Sequence, residues 1–149
     1  MIKGLDLPPI WLVGFILLAW GISVVLPERS LQFPWQGILA ISLFLIGILL
    51  TGLAAFEMAK ARTTIIPHRT ADALVTKGVF RWTRNPIYLG DALILISFVL
   101  WFQVAVGLFL VPVFIWVIRR RFIEKEEHSL RAKFGSDFEA WQRKTRRWL

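Results

Sequence analysis

PIYLGDALILISFVLWFQVAVGLFLVPVFIWVI, residues 86–118, is an apolar run that contains a single charged residue, Asp91. Such a composition suits the interior of a lipid bilayer. At ~1.5 Å per residue the run is too long for one helix of ordinary tilt and slightly short for two full spans. We therefore predict a tight hairpin of two short helices that turns near residues 101–103. Pro112 would kink the second helix unless neighbouring groups satisfy the freed carbonyl.

Two more apolar runs precede this hairpin, at residues 8–27 and 37–56, and each has about the length of one membrane span. We interpret the first as a retained span and not as a signal peptide. It is longer than a usual signal core, and no small-residue cleavage motif follows it. In the second run, Gly37, Gly47 and Gly52 offer small faces for close helix packing.

The basic residues predict how these helices are oriented. The formal net charge is +8, and most of the Lys and Arg residues lie in residues 57–85 and 119–149. The positive-inside rule places both regions, and with them both termini, in the cytoplasm. Nucleic-acid binding would suit the charge but not the spans, so no nucleic-acid partner is expected. We predict an all-α integral membrane protein with about four transmembrane or hairpin helices and amphipathic C-terminal helices.

Cysteine and histidine usage excludes several kinds of site. The chain has no cysteine, which rules out disulfides, thiolate metal sites and a cysteine nucleophile. Its two histidines, His68 and His128, are too few for a histidine-only metal site. No metal site is predicted.

The polar stretch FRWTRNPIYLG, residues 80–90, leads into the hairpin. Asn85 is a preferred N-cap residue and Pro86 suits the first helical position, so a helix should begin here. Its first N–H groups, with Arg84 just upstream, would attract a carboxylate or phosphate. An interfacial helix cap with snorkelling arginines is the alternative. Asp91, deeper in the same helix, is either a functional acid or a group that favours the helix N-terminus.

The tail contains IEKEEHSLRAKFGSDFEAW, residues 123–141, which reads as an amphipathic helix that Gly135 can end. Glu127 has Arg131 four residues ahead, in the favourable order for an ion pair. Glu126 has no basic residue three or four positions away. It therefore needs a partner from elsewhere, either a bound ligand or, as the alternative, Arg81 or Arg84.

Taken together, LVTKGVFRWTRNPIYLG and the later IEKEEHSLRAKFGSDFEAW resemble the isoprenylcysteine carboxyl methyltransferase and phospholipid methyltransferase family of integral membrane enzymes. That family typically carries a Gly, an aromatic residue, Arg-His-Pro and a Tyr, then a Glu pair, then Phe-Gly. The resemblance extends from about residue 60 to the C-terminus. Asn85 stands where the family has histidine. It can still cap the helix and form a hydrogen bond with a ligand, but it cannot carry charge or act as a base.

The resemblance implies an S-adenosylmethionine-dependent methyltransferase that acts on a lipophilic or membrane-held acceptor, either an isoprenylcysteine-like carboxylate or a lipid amine. An amine acceptor must lose a proton, and Glu126 or Asp91 would then matter more. Residues 1–149 are expected to form one domain, with two spanning helices in 1–56 and the cofactor-binding core in 57–149. By matching position, the cofactor would be bound by Gly78, Arg84, Asn85, Tyr88, Glu126 and Glu127, with Glu126 and Arg84 catalytic.

Two alternatives stay open at this point. Membrane reductases related to sterol reductases share the C-terminal architecture of this family, but their larger nicotinamide cofactor calls for a longer chain. A non-enzymatic membrane adaptor would use its basic tail to bind anionic lipid. The motif TTIIP, residues 63–67, resembles a bacterial branch of the family and implies a bacterial inner membrane.

Overall fold

The computed structural model describes residues 6–26, 31–63 and 71–149, and in these ranges the named elements are helices. The predicted all-α fold class is thereby confirmed. Arg29, His68 and most of the TTIIP motif lie outside the described residues. Short 3₁₀ turns occupy Gly78–Arg81 and Ala105–Phe109. The α-helices are α1 (Pro8–Val25), α2 (Gln36–Lys60), α3 (Pro86–Phe102), α4 (Leu110–Ile118) and α5 (Glu124–Lys144).

Helices α1 and α2 have the length and composition to cross a membrane. They contain 18 and 25 residues, which corresponds to about 27 and 38 Å along the helix axis. In the most apolar 18-residue stretch of each helix, only 17% is buried inside the structure. These are therefore not core helices of a soluble protein. Leu17, Leu45 and Leu49 are each more than half exposed. Apolar surface of this extent is stable when lipid covers it, which supports membrane association.

Helix α3 forms the centre of the fold, packed against α1, α2 and α4. Its own side chains are apolar on all faces, as expected of a buried helix, and Leu95 and Val99 are almost fully buried. It approaches α2 most closely at Gly47 and Gly90. A Cβ on Gly47 would lie 2.7 Å from the Gly90 carbonyl oxygen. The predicted small-residue packing is therefore found at Gly47, whereas Gly37 and Gly52 have no atom near enough to require glycine.

The predicted hairpin is confirmed. Helix α3 ends at Phe102, and Gln103 adopts a left-handed conformation with φ of 63° before the chain returns through the second 3₁₀ turn into α4. Pro112 is the third residue of α4. An N–H there has no partner within the helix, so the proline fits the first turn and need not kink the helix.

Helix α4 continues through a π-helical turn, Arg119–Ile123, into α5. Gly135 interrupts α5 with φ of 47°, which agrees with its predicted role as a helix terminator. The π-helical turn also contacts the start of α1. The Nε of Arg121 lies 3.1 Å from Oδ1 of Asp6, and its guanidinium stacks on the Trp11 ring at 4.9 Å. The first residues of α1 and the start of the tail therefore lie at the same end of the helix bundle.

Candidate functional site

A cavity of about 780 Å³ lies at the end of the bundle where α1 and α3 begin and α2 ends. This volume is within the ordinary range of small-molecule binding sites. The loop at residues 71–75 and the first part of α5 complete the wall. The structure places five of the six residues predicted to bind the cofactor in this wall: Arg84, Asn85, Tyr88, Glu126 and Glu127.

Gly78, the sixth, is not part of the wall. It has φ of 58°, and a Cβ at this position would lie 2.6 Å from Oε1 of Glu57 on α2. Glycine is needed here because the turn is left-handed and because the loop packs tightly on α2. In the structure Gly78 shapes the loop beside the cavity, and its predicted contact with the cofactor stays a prediction.

Asn85 and Pro86 mark the start of α3, as predicted, but the Asn85 side chain does not cap the helix. Its Nδ2 donates instead to the carbonyl oxygen of Arg147 at 2.9 Å. Its backbone N–H donates to Oγ1 of Thr83. The predicted side-chain cap was wrong: the Asn85 side chain is oriented by the bond from its Nδ2 to the far end of the chain, and its oxygen accepts no N–H of the first turn. Asn85 thus ties the C-terminus to the helix start.

Residues 145–148 form a C-terminal strap across the start of α3. Thr83 and Arg146 form a parallel β-bridge, and the N–H of Arg84 donates to the Arg146 carbonyl at 2.9 Å. The Thr83 hydroxyl also donates to the Arg147 carbonyl. Trp148 packs against the main apolar core. The strap therefore holds the polar stretch that precedes α3 in one conformation.

An ion cluster joins the strap to α5. Glu127 accepts from Nη2 of Arg84 at 3.1 Å and from Nε and Nη2 of Arg147 at 3.0 and 2.5 Å. Arg84 Nη1 donates to the carbonyls of Gln142 and Thr145. The predicted pairing of Glu127 with Arg131 was wrong. Arg131 donates to Oε1 of Gln142, since two arginines from distant segments already surround the Glu127 carboxylate.

The cluster keeps Glu127 ionised. Burial alone would raise the pKa of its carboxyl group, but the hydrogen bonds and charge of Arg147, together with the charge of Arg84, lower the pKa below its ordinary value of 4.5. The hydrogen bond to Glu127 correspondingly raises the pKa of Arg147. Glu127 is thus a fixed anion that holds two arginines.

Tyr88 and Glu126 meet across the cavity. The Tyr88 hydroxyl, on the first turn of α3, donates to Oε1 of Glu126 at 2.6 Å, and Phe122 packs beside the tyrosine ring. The alternative of an ion pair between Glu126 and Arg84 is not what the structure shows, because the arginine bonds to the next glutamate along α5. Tyr88 therefore supplies the partner that the sequence around Glu126 lacks.

Three buried side-chain polar atoms have no hydrogen-bond partner in the described part of the chain: Oγ1 of Thr51, Nε of Arg84 and Oδ2 of Asp91. All three residues belong to the cavity wall. Buried polar atoms are nearly always hydrogen-bonded, so these three atoms mark positions on the wall where a polar ligand or an ordered water molecule would bind. The sequence singled out Arg84 and Asp91 but missed Thr51. A threonine late in an apolar span was the available signal.

Most of the cavity wall comes from the part of the chain that resembles known proteins. A family model for phospholipid methyltransferases matches residues 35–137, from the start of α2 into α5. A curated protein of Haemophilus influenzae, described as uncharacterized, is 38% identical over 63 residues, which are 42% of this chain and all of that protein. No solved structure matches. Since the family model covers well over half of the sequence and most of the cavity wall, this chain belongs to the phospholipid methyltransferase family.

Proposed function

We propose that the chain is an integral membrane methyltransferase that takes its methyl group from S-adenosylmethionine and transfers it to a lipophilic, membrane-held acceptor. The observation that carries this proposal is the cavity, in which five residues predicted from two distant motifs share one wall with three unpartnered polar atoms. Family membership supports methyl transfer in a membrane. The cofactor and the class of acceptor are our own inference.

The residues of the wall suit this cofactor. The unpartnered Nε of Arg84 is a donor for the cofactor's carboxylate, and the carboxylate of Glu126 is an acceptor for its amino or hydroxyl groups. Phe80 and Trp141 offer aromatic surface for a flat base, and the fully buried Phe138 packs against Trp141. The Trp141 ring is held by a hydrogen bond from its Nε1 to the Phe80 carbonyl. When bound, S-adenosylmethionine supplies a methyl group on a cationic sulfur.

Methyl transfer of this kind requires chiefly that the acceptor atom is held in line and away from water. We therefore assign Arg84 and Glu126 direct contact with the bound molecules. Asn85 and Glu127 also line the wall, and their hydrogen bonds to the strap and to the two arginines make them positioning residues. Tyr88 orients Glu126 through its hydroxyl.

A lipophilic acceptor fits the surroundings of the cavity. The wall includes apolar residues from the beginning of α1, among them Leu7 and Pro8, and Met58 near the end of α2. Both helices expose apolar faces outside the bundle. We therefore expect an acceptor held in the bilayer to enter the cavity from the lipid side.

We place the cavity and both termini at the cytoplasmic face of a bacterial inner membrane. The basic tail and the basic segment before α3 lie at this end of the bundle, where the positive-inside rule expects the cytoplasm. The contact between Asp6 and Arg121 agrees with termini on one side. We treat residues 1–149 as one domain, because α1 and α2 supply part of the cavity wall.

Calorimetric titration of S-adenosylmethionine into the full chain in neutral detergent tests the proposal. We expect Tyr88→Phe and Glu126→Ala each to weaken binding by about tenfold or more, since each removes a charge-assisted hydrogen bond at the wall. Neither should unfold the protein. Glu124→Ala is the matched control, because Glu124 lies on the same helix but pairs with Arg119 and Arg120 outside the cavity.

Unchanged affinity in both site variants would contradict the assignment of the site. Binding of a reduced nicotinamide dinucleotide in place of S-adenosylmethionine would favour the reductase alternative. Absence of binding by either cofactor would favour the adaptor.

A further inference from the structure

We propose that the start of α1, residues 6–11, is a side wall of the cavity that opens toward the bilayer, and that Arg121 holds this side wall closed. The inference rests on the proposed function, because the molecule that passes is the lipophilic acceptor. The family model begins at residue 35, so α1 lies outside the region that it matches. The assignment therefore comes from the contacts that α1 makes in this chain.

The side wall borders both the cavity and the surface that faces lipid. Leu7, Pro8 and Pro9 belong to the cavity wall. The next residues along α1 point outward, and Ile10 and Val13 are 41% and 54% exposed. Exposed apolar side chains on a membrane span are covered by lipid. A small movement of this turn would therefore connect the cavity with the bilayer.

Three side chains hold the side wall in place. Oδ1 of Asp6 accepts from Nε of Arg121 at 3.1 Å and from Nε1 of Trp11 at 3.2 Å. The Arg121 guanidinium also stacks on the Trp11 ring at 4.9 Å. Pro8 and Pro9 have no N–H, so their backbone cannot donate to a neighbouring segment. Arg121 therefore ties the side wall to the π-helical turn.

These contacts are weaker than those that hold the strap. The side chains of Arg121 and Asp6 are 47% and 24% exposed. In the ion cluster, those of Arg84 and Glu127 are 9% and 13% exposed. Exposed ion pairs contribute little to stability, whereas the loss of one partner from a buried pair is costly. Of these two sides of the cavity, the side wall therefore opens at the lower cost in free energy.

The rest of α1 is anchored in the bundle. Leu12, Phe15 and Ala19 are buried along one stripe of the helix and belong to the main apolar core. The Phe15 ring lies edge-on against Phe114 of α4, with ring centroids 5.3 Å apart. Opening is therefore confined to the first turns of α1, while the span stays packed against its neighbours.

The π-helical turn connects the side wall with the site. Arg121 contacts α1, whereas the next residue, Phe122, is 1% exposed and belongs to the cavity wall. The Phe122 and Tyr88 ring centroids are 6.4 Å apart. Turns of this type are rare and occur frequently at functional sites. Entry beside Arg121 therefore brings the acceptor next to Tyr88 and its partner Glu126.

The test measures how fast a single cysteine in the cavity wall reacts with two maleimides. The chain has no cysteine, so Met58→Cys introduces one thiol. Met58 lies in the wall near the end of α2. The full chain in lipid nanodiscs is treated either with a maleimide that carries an alkyl tail and dissolves in the bilayer, or with a sulfonated maleimide that stays in water. No cofactor is needed.

We expect Arg121→Gln and Asp6→Asn, each combined with Met58→Cys, to raise the rate with the alkyl maleimide about three- to tenfold, because the contacts that close the side wall are lost. The rate with the sulfonated maleimide should stay unchanged. Arg121→Lys keeps the positive charge, so this variant should react more slowly than Arg121→Gln. Arg120→Gln is the matched control, since Arg120 lies in the same turn, is 60% exposed and pairs with Glu124. It should change neither rate.

An unchanged rate with the alkyl maleimide in both Arg121→Gln and Asp6→Asn would overturn the side wall, whether or not the chain binds S-adenosylmethionine. An equal rise with both maleimides would also overturn it, since the variants would then have loosened the whole cavity. If the alkyl maleimide reacts faster in both variants but the wild-type chain binds no S-adenosylmethionine, the side wall stands and the proposed function fails.

Discussion

Replacement of Glu127 by Gln tests how the ion cluster supports the cavity. The substitution keeps the size of the side chain but removes the negative charge that Arg84 and Arg147 share. The side chains of Glu127 and Arg84 are 13% and 9% exposed, while that of Arg147 is 26% exposed. Removing one partner of a buried ion pair costs about 3–5 kcal/mol, and the partial exposure of Arg147 lowers our expectation to about 2–3 kcal/mol.

That loss should be visible in thermal unfolding. For a chain of this length it corresponds to a decrease in Tm of about 5–10 °C. Intrinsic tryptophan fluorescence of the chain in detergent can follow the transition, because the sequence contains eight tryptophans. Glu124→Gln is the matched control. Its ion pairs with Arg119 and Arg120 are exposed, and exposed pairs contribute about 0–1 kcal/mol.

The pH dependence gives an independent check with a defined sign. The pKa of Glu127 is lowered in the folded protein, so its contribution to stability is complete above its ordinary pKa of 4.5 and is lost as the pH falls through the lower folded value. The Tm difference between wild type and Glu127→Gln should therefore be constant from pH 6 to 8 and shrink below about pH 4.5. A Tm within 2 °C of wild type at neutral pH would refute the role we give to the cluster.

Two other substitutions and one deletion probe the packing and the strap. Gly90→Ala should sharply lower the yield of folded protein in detergent, because its Cβ would lie 2.7 Å from a carbonyl oxygen of α2. Gly52→Ala, whose Cβ would point into open space, should behave as wild type. Equal yields of the two variants would contradict the close packing of α2 and α3. Asn85→Asp replaces the donor to the Arg147 carbonyl by an acceptor, so it should lower the Tm by about 3–6 °C. An unchanged Tm would show that this hydrogen bond is not needed for stability. Deletion of residues 145–149 should weaken S-adenosylmethionine binding at least tenfold and increase proteolysis of the segment before α3. Retained affinity would show that the strap is not needed for binding in the cavity.

The fold was largely predictable from local composition. The lengths of the apolar runs predicted α1, α2 and the hairpin. The turn at residues 101–103 was predicted because an apolar run longer than the bilayer is thick must fold back. Asn85 and Pro86 correctly marked the start of α3. Pro112 was harder to interpret, because a proline kinks a helix interior but fits a first turn, and the sequence did not show that α4 begins only two residues earlier.

The site was predictable only in part. The order of the two motifs indicated which residues converge, since both lie at the same end of apolar helices. The partners of the charged groups were not predictable. Glu127 had a plausible local partner in Arg131, but its actual partner Arg147 lies 20 residues ahead on a strap whose path depends on tertiary packing. Thr51 was missed for the same reason, since only the crossing of α2 and α3 brings its hydroxyl to the cavity.

Photocrosslinking of radiolabelled S-adenosylmethionine to the full chain, followed by peptide mapping, tests the location of the site most directly. We predict label in residues 80–91 and 122–141, which supply most of the cavity wall, and loss of that label with excess unlabelled cofactor. Label instead in residues 33–37 and 101–103, which line a smaller hollow of about 470 Å³, would contradict the account. So would the absence of any label that excess cofactor displaces.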